Sequence, residues 1–181
     1  MCRRRVYNKR TTEQVIMVKL MGIDLDKLAK LVIDLGAIKN LTIATAESCS
    51  GGKLGAALTS VAGSSAVYMG GVIAYDNAVK TGLLGVSADL IAKNGAVSEP
   101  VARAMAEGIR TRLGTSYGIS ITGIAGPGGG SPEKPVGTVF LAVASEHVVF
   151  CERQVFVGTR EEVRSQSVAR ALQMLGSVLD P

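Results

Sequence analysis

Between positions 46 and 52 the chain reads Ala-Glu-Ser-Cys-Ser-Gly-Gly, which sets Ser48, Cys49 and Ser50 directly before two glycines. A hydroxyl becomes a useful nucleophile only beside a base that takes its proton. Gly51 and Gly52 let the backbone approach a ligand closely. At a helix start their N–H groups suit an anion or the oxyanion of acyl transfer. The bland alternative is that Ser48 or Ser50 only caps that helix. The chain has one histidine, His147, at a predicted hairpin turn, so a Ser-His-Asp triad is not expected. A lysine with a lowered pKa is the known substitute. Lys80 is the candidate, one helical turn beyond the second strand and at the same edge of the sheet. Without such a partner it reads as a solvated helix lysine.

Two further features could hold a ligand. The stretch Gly123-Ile-Ala-Gly-Pro-Gly-Gly-Gly-Ser-Pro-Glu-Lys-Pro135 follows a third strand and is the longest segment without periodicity. It lacks the G-x-x-x-x-G-K-[ST] spacing of a P-loop, and G-x-G-x-x-G is absent from 46–52, so it suggests a backbone-bound anion rather than ATP. Arg160 opens the last helix, where guanidinium and helix dipole together suit a phosphate. It reads otherwise as an exposed arginine.

These residues are positioned by alternating helices and strands. A helix is predicted over Asp24 to Leu35, with Leu25, Leu28, Leu31, Val32 and Leu35 on its core face, Asp24 as cap and Gly36 as stop. Leu41 to Thr45 reads as a buried strand leading into the serine motif, and a small-residue helix runs from Lys53 to about Val61. Ala62 to Ser65 is a loop, and Val67 to Tyr75 contains a second strand. Asp76-Asn77 caps a helix through Lys80 to Leu84, Ser87 opens another, and Ser98 caps a third with Pro100 in its first turn. Tyr117 to Ile124 is β-rich. Gly137 to Ser145 and Val148 to Val157 form an antiparallel hairpin turning at Glu146-His147. A helix from Arg160 to about Leu179 begins with a Thr159/Glu162 capping box and buries Val168, Leu172, Leu175 and Leu179. The expected fold is a three-layer α/β/α sandwich on a mixed, mostly parallel sheet, closed by a C-terminal hairpin and helix. Serine motif, lysine and glycine loop then all lie at the carboxyl ends of strands, where open α/β sheets bind ligands.

Composition narrows the classes. A chain of 181 residues and 18.7 kDa is one domain by length. No apolar run reaches the roughly 18 residues of a membrane span, and no secretory signal is evident, so a cytoplasmic protein is expected. The net charge of +5 resides in residues 1–20, a basic, loose leader; residues 21–181 carry fourteen basic and fourteen acidic side chains. Met17 and Met21 are alternative starts. With 4% aromatics and no Trp, the neutral domain argues against a nucleic-acid partner, save through residues 3–10. Cysteines at 2, 49 and 151 suit neither a disulfide framework nor a zinc knuckle, and fit a reducing compartment. No metal-ligand cluster and no cofactor motif is present.

Taken together, Ala46–Gly52, Ala62-Gly-Ser-Ser65, Gly95-Ala-Val-Ser-Glu99, Gly123-Ile-Ala-Gly-Pro127 and Glu133-Lys-Pro-Val-Gly-Thr138 resemble the C-terminal domain of the competence/damage-inducible CinA proteins. The five occur in that family's order and cover about residues 24–179. The resemblance implies a nicotinamide-nucleotide amidohydrolase with a Ser/Lys arrangement on an α/β/α sandwich, in a homo-oligomer. It implies Ser48 as nucleophile, Ser50 as second hydroxyl, and Tyr75 with Lys80 in the segment after the second strand. The family more often has threonine where Ser50 stands; the hydroxyl survives. Two-domain members carry a further N-terminal domain, whose activity is not expected here. On this reading Lys80 deprotonates Ser48, which attacks the nicotinamide carboxamide. Gly51 and Gly52 hold the oxyanion, and Tyr75 relays a proton or orients Lys80. Gly126, Gly128, Gly129, Gly130, Ser131 and Arg160 hold the ribose phosphate. The alternatives are Cys49 as nucleophile and a pyridine-nucleotide-binding or regulatory module without turnover.

Overall fold

A computed structural model describes residues 24–180. The basic leader, its alternative starts and Cys2 lie outside the described residues. In chain order the elements are α1 (Leu25–Lys39), β1 (Ile43–Glu47), α2 (Lys53–Thr59), a short 3-10 turn (Ser64–Ala66), β2 (Tyr68–Ile73), α3 (Asn77–Leu84), α4 (Ala88–Asn94), α5 (Glu99–Leu113), β3 (Tyr117–Gly123), β4 (Thr138–Ala144), β5 (Val149–Val155) and α6 (Arg160–Leu179).

The capping chemistry explains most of the helix boundaries. Asp24, Asp76 and Ser87 each accept a backbone N–H at the start of their helices. Thr159 and Glu162 form the reciprocal box at the start of α6. Ser98 precedes α5 as expected, but its hydroxyl donates to the Gly95 carbonyl instead of capping. The first helix also departs from its expected end. Gly36 does not stop it; α1 runs on to Lys39 and ends at Asn40, which takes the left-handed conformation at φ 52°. Gly36 is buried against the 3-10 turn, where a Cβ would come within 2.5 Å of Val67 Cγ1, so that glycine serves packing. The core face holds the expected Val32 with buried Ala29, Ile33 and Gly36, and Leu25, Leu28 and Leu35 pack half-buried against the same core, while Leu31 is exposed.

The five strands form one sheet in the order β2-β1-β3-β4-β5. β1 pairs in parallel with β2 and β3; β4 is antiparallel to both β3 and β5. The sheet is mixed as expected, with parallel and antiparallel pairings evenly divided because the hairpin supplies both antiparallel ladders. α1, α2 and α6 cover one face, burying Leu54, Leu58, Leu172 and Leu175 against Ile43, Ile121 and Leu141. α3, α4 and α5 cover the other, with Leu84, Ile91, Met105 and Ile109 against Ala44 and Ala46. Full burial of one such large aliphatic side chain is worth about 1.5–3 kcal/mol. The strand period of two separates neighbours along β1: Ile43 joins the first core, Ala44 and Ala46 the second.

Candidate functional site

β1 lies between β2 and β3, and the chain leaves its carboxyl end into α2 on one face while β2 feeds α3 on the other. A crevice opens at such a switch point. Here it is a cavity of about 290 Å³, which Ser48, Cys49, Tyr75, Lys80 and Arg160 all line. Gly126, Gly128 and Gly129 complete the wall from the loop after β3. Three separate strand ends thus meet at one place.

Lys80 is the most unusual group in it. The residue is 1% exposed, and its Nζ donates to the carbonyl oxygens of Ala74 (2.9 Å) and Tyr75 (3.3 Å). It forms no ion pair among the described residues. Burial lowers its pKa from the ordinary lysine value, against the smaller opposing pull of Asp76. Ser48 is nearly buried; its backbone N–H is tied to the Ile121 carbonyl (2.9 Å), and its hydroxyl has no hydrogen-bond partner among the described residues. Burial pushes the neighbouring Cys49 thiol up to about 11, although Arg160 and Arg164 pull the other way. At neutral pH only roughly one in ten thousand of such thiols is ionised.

Tyr75 divides its functions. Its carbonyl holds Lys80, whereas its largely exposed phenol accepts from Arg160 Nη2 at 3.1 Å. Arg160 Nη1 donates to the Gly126 carbonyl at 2.9 Å, so one guanidinium joins the tyrosine to the glycine loop across the mouth of the cavity.

Five expected site residues are placed elsewhere. Ser50 is fully buried and donates to Glu47 Oε2 at 2.8 Å, away from the cavity. The Gly51 N–H donates to the Ser48 carbonyl (3.1 Å) and the Gly52 N–H to Glu47 Oε2 (3.0 Å), so neither is free for an oxyanion. For Ser50 and Gly52 the reason is that the anion at the start of α2 is the chain's own Glu47 carboxylate, while the Gly51 N–H closes a turn on Ser48. Gly130 and Ser131 also stay off the cavity wall. Ser131 closes a turn, its hydroxyl donating to Glu133 and accepting the Lys134 N–H, and Gly130 packs where a Cβ would come within 2.7 Å of the Val136 nitrogen.

Asn77 and Thr122 line the cavity without having been singled out in the sequence. Asn77 stands three residues before Lys80 on one helix, a spacing that shares a face. Thr122 sits at the carboxyl end of β3. Both signals were present and were masked by the capping role given to Asn77 and by the short, unremarkable end of β3. Lys134, in the Glu133-Lys134-Pro135 stretch, braces the far wall by donating to the carbonyls of Asn94 (3.1 Å) and Val97 (2.7 Å).

Fold and site together define a class: a three-layer α/β/α protein with a serine and a desolvated lysine facing one crevice at the carboxyl edge of its sheet. Within it, the chain belongs to the CinA C-terminal domain family, whose family model matches residues 25–179. It is 57% identical over 150 residues to a CinA-like protein of Gemmatimonas aurantiaca, covering 83% of this chain and 35% of that one. It is 55% identical over 156 residues to a CinA-like protein of Synechococcus, covering 85% and 37% respectively. The chain therefore spans little more than a third of these relatives. Among solved structures, the competence/damage inducible protein CihA from Agrobacterium tumefaciens superposes with a TM-score of 0.84 at 40% identity, over 87% of this chain and 96% of that one. A CinA superfamily protein from Klebsiella pneumoniae gives 0.83 at 36% identity, over 86% and 98%.

Proposed function

We propose that this domain is a nicotinamide-nucleotide amidohydrolase, converting nicotinamide mononucleotide and water to nicotinate mononucleotide and ammonia. The observation that carries the reading is Lys80: a buried lysine that lines the same cavity as the Ser48 hydroxyl, neither of them with an acidic partner among the described residues. A lysine whose pKa is lowered by burial is suited to take and return a proton, and amide hydrolysis is a reaction that needs one moved twice.

Neutral Lys80 takes the Ser48 proton as the serine oxygen bonds to the carboxamide carbon. The resulting ammonium returns the proton to nitrogen as the C–N bond breaks, and ammonia leaves. Water, deprotonated by the same lysine, then splits the acyl-enzyme and restores Ser48. With Gly51 and Gly52 engaged elsewhere, the oxyanion falls to the N–H of Cys49, which has no acceptor in another described residue. One such donor is typically worth about 3 kcal/mol of barrier. Tyr75 orients Lys80 through its carbonyl, and Arg160 with the Gly126–Gly129 loop receives the ribose phosphate. The reaction is placed in the cytoplasm, with no metal or cofactor.

Homo-oligomer formation is part of the proposal. It is supported by the two outer strands, β2 and β5, which carry exposed Met69, Ile73, Phe150 and Val155.

The test is product analysis with purified protein and nicotinamide mononucleotide. Stoichiometric ammonia and nicotinate mononucleotide support the amidohydrolase. Saturable binding without ammonia release would move the reading to a pyridine-nucleotide-binding regulatory module.

A further inference from the structure

We propose that Glu47 is a positioning residue for the Ser48 hydroxyl, holding the loop that carries it from inside the protein. The proposal rests on the reading of Ser48 as nucleophile and adds a residue to that machinery.

Glu47 ends β1 and is bound through its backbone to the sheet. Its register partners are Ile73 on β2 and Ile121 on β3, and its carbonyl accepts the Ala74 N–H at 2.7 Å. Its side chain, 2% exposed, turns the other way, to the face that α2 covers. There Oε2 accepts from Ser50 Oγ (2.8 Å), the Gly52 N–H (3.0 Å) and the Leu54 N–H (3.1 Å), while Oε1 accepts from the Gly55 N–H (2.8 Å). The loop 48–52 thus begins at the main chain of Glu47 and ends in donors that hang on its side chain. One residue holds both ends.

The intervening backbone is shaped to allow this. Gly51 and Gly52 take left-handed conformations in succession, at φ 63° and 89°, and curl the chain back toward the carboxylate. At Gly55 a Cβ would come within 2.8 Å of the Tyr68 hydroxyl on β2, so the glycine keeps the start of α2 close to the sheet. From outside, Arg164 donates to the Ser50 carbonyl through Nη2 (2.8 Å) and Nε (3.3 Å). With Glu47 facing α2, the strand alternation sends its successor Ser48 to the opposite side, into the cavity that Lys80 lines. A carboxylate accepting charge-assisted bonds from helix-start donors is stiff, and a misplacement of about 1 Å at a reacting atom can cost about 100-fold in rate.

The experiment compares wild type, Glu47→Gln and Ser50→Ala by two readouts: labelling with a serine-reactive fluorophosphonate, and ammonia release from nicotinamide mononucleotide. The amide of Glu47→Gln cannot accept from all four donors, because one oxygen becomes an NH₂ group. The expected result is a folded variant labelled to the same stoichiometry but about 10- to 100-fold more slowly, with kcat reduced alike and KM within about twofold. Ser50→Ala removes one of the four bonds and moves the same quantities less. Folded Glu47→Gln with wild-type labelling and turnover rates overturns the proposal. So does a reduced number of labelled sites at unchanged rate per site, the signature of a purely structural group. Should Glu47→Gln not fold, Ser50→Ala decides, and an unchanged rate per site there overturns it. Wild type that labels yet releases no ammonia refutes the substrate alone, and the labelling comparison still stands. Wild type that does not label at Ser48 removes the nucleophile and the proposal with it.

Discussion

Lys80 sits where a protonated amine is costly, held by two carbonyl oxygens and lacking a counter-ion among the described residues. Its folded pKa lies below the 10.5 of an ordinary lysine, chiefly through burial. Between those two values the unfolded chain binds more protons, so this group's penalty on stability shrinks as pH rises across that window. Replacing it with an apolar residue of similar length removes the dependence. The expected outcome in calorimetry from pH 7 to pH 10 is that wild type gains on Lys80→Met as pH rises; a constant or widening deficit would contradict it. The same displacement predicts that kcat/KM climbs with pH along a limb below the usual lysine range. Lys80→Arg should abolish the limb and the activity, because a guanidinium keeps its proton. Cys49 is expected to be dispensable as a nucleophile, since its thiol stands near 11. Cys49→Ala should keep turnover within about tenfold of wild type, and complete loss of ammonia release would transfer the nucleophile to the thiol.

At the scale of elements, glycines with no turn to make mark the tightest contacts. On α5, a Cβ at Gly108 would come within 1.9 Å of the Leu84 carbonyl oxygen at the end of α3. Gly108→Ala is therefore expected to lose about 1–3 kcal/mol in urea unfolding despite its better helix propensity; an unchanged midpoint would mean that α3 and α5 separate freely. What the sequence revealed at this scale was local. Asp24, Asp76, Ser87 and the Thr159/Glu162 box announce helix starts by side-chain chemistry within three residues of each cap. The hairpin turn at Glu146-His147 follows from two apolar runs with a polar break between them. Gly36 misleads because its purpose lies in Val67, distant along the chain. Gly51 and Gly52 are legible as a tight backbone approach but not in what is approached. The pattern that suits a bound anion is the same whether the anion is a ligand or, as here, the carboxylate of Glu47. Nor does spacing reveal that the phenol of Tyr75 turns to Arg160 while its carbonyl holds Lys80.

Across the whole molecule, three strand ends and the start of the last helix converge on one crevice, and the proposed chemistry would use them all at once. Ser48 comes from the end of β1, Lys80 from beyond β2, the glycine wall from beyond β3, and Arg160 from α6. With a lysine as base, the reaction is expected to proceed unchanged in excess EDTA; a steep loss would call for a different scheme. Exposed apolar side chains on the two outer strands lead to the expectation of a homo-oligomer in light scattering, and a strictly monomeric protein at high concentration would refute that assembly. The central claim is tested most directly by ammonia release from nicotinamide mononucleotide by wild type, Ser48→Ala and Lys80→Ala, each checked for folding. The account predicts turnover in wild type and a loss of about a thousandfold or more in both variants, as expected for residues that act as one unit. Turnover surviving in either folded variant would contradict the serine–lysine pair.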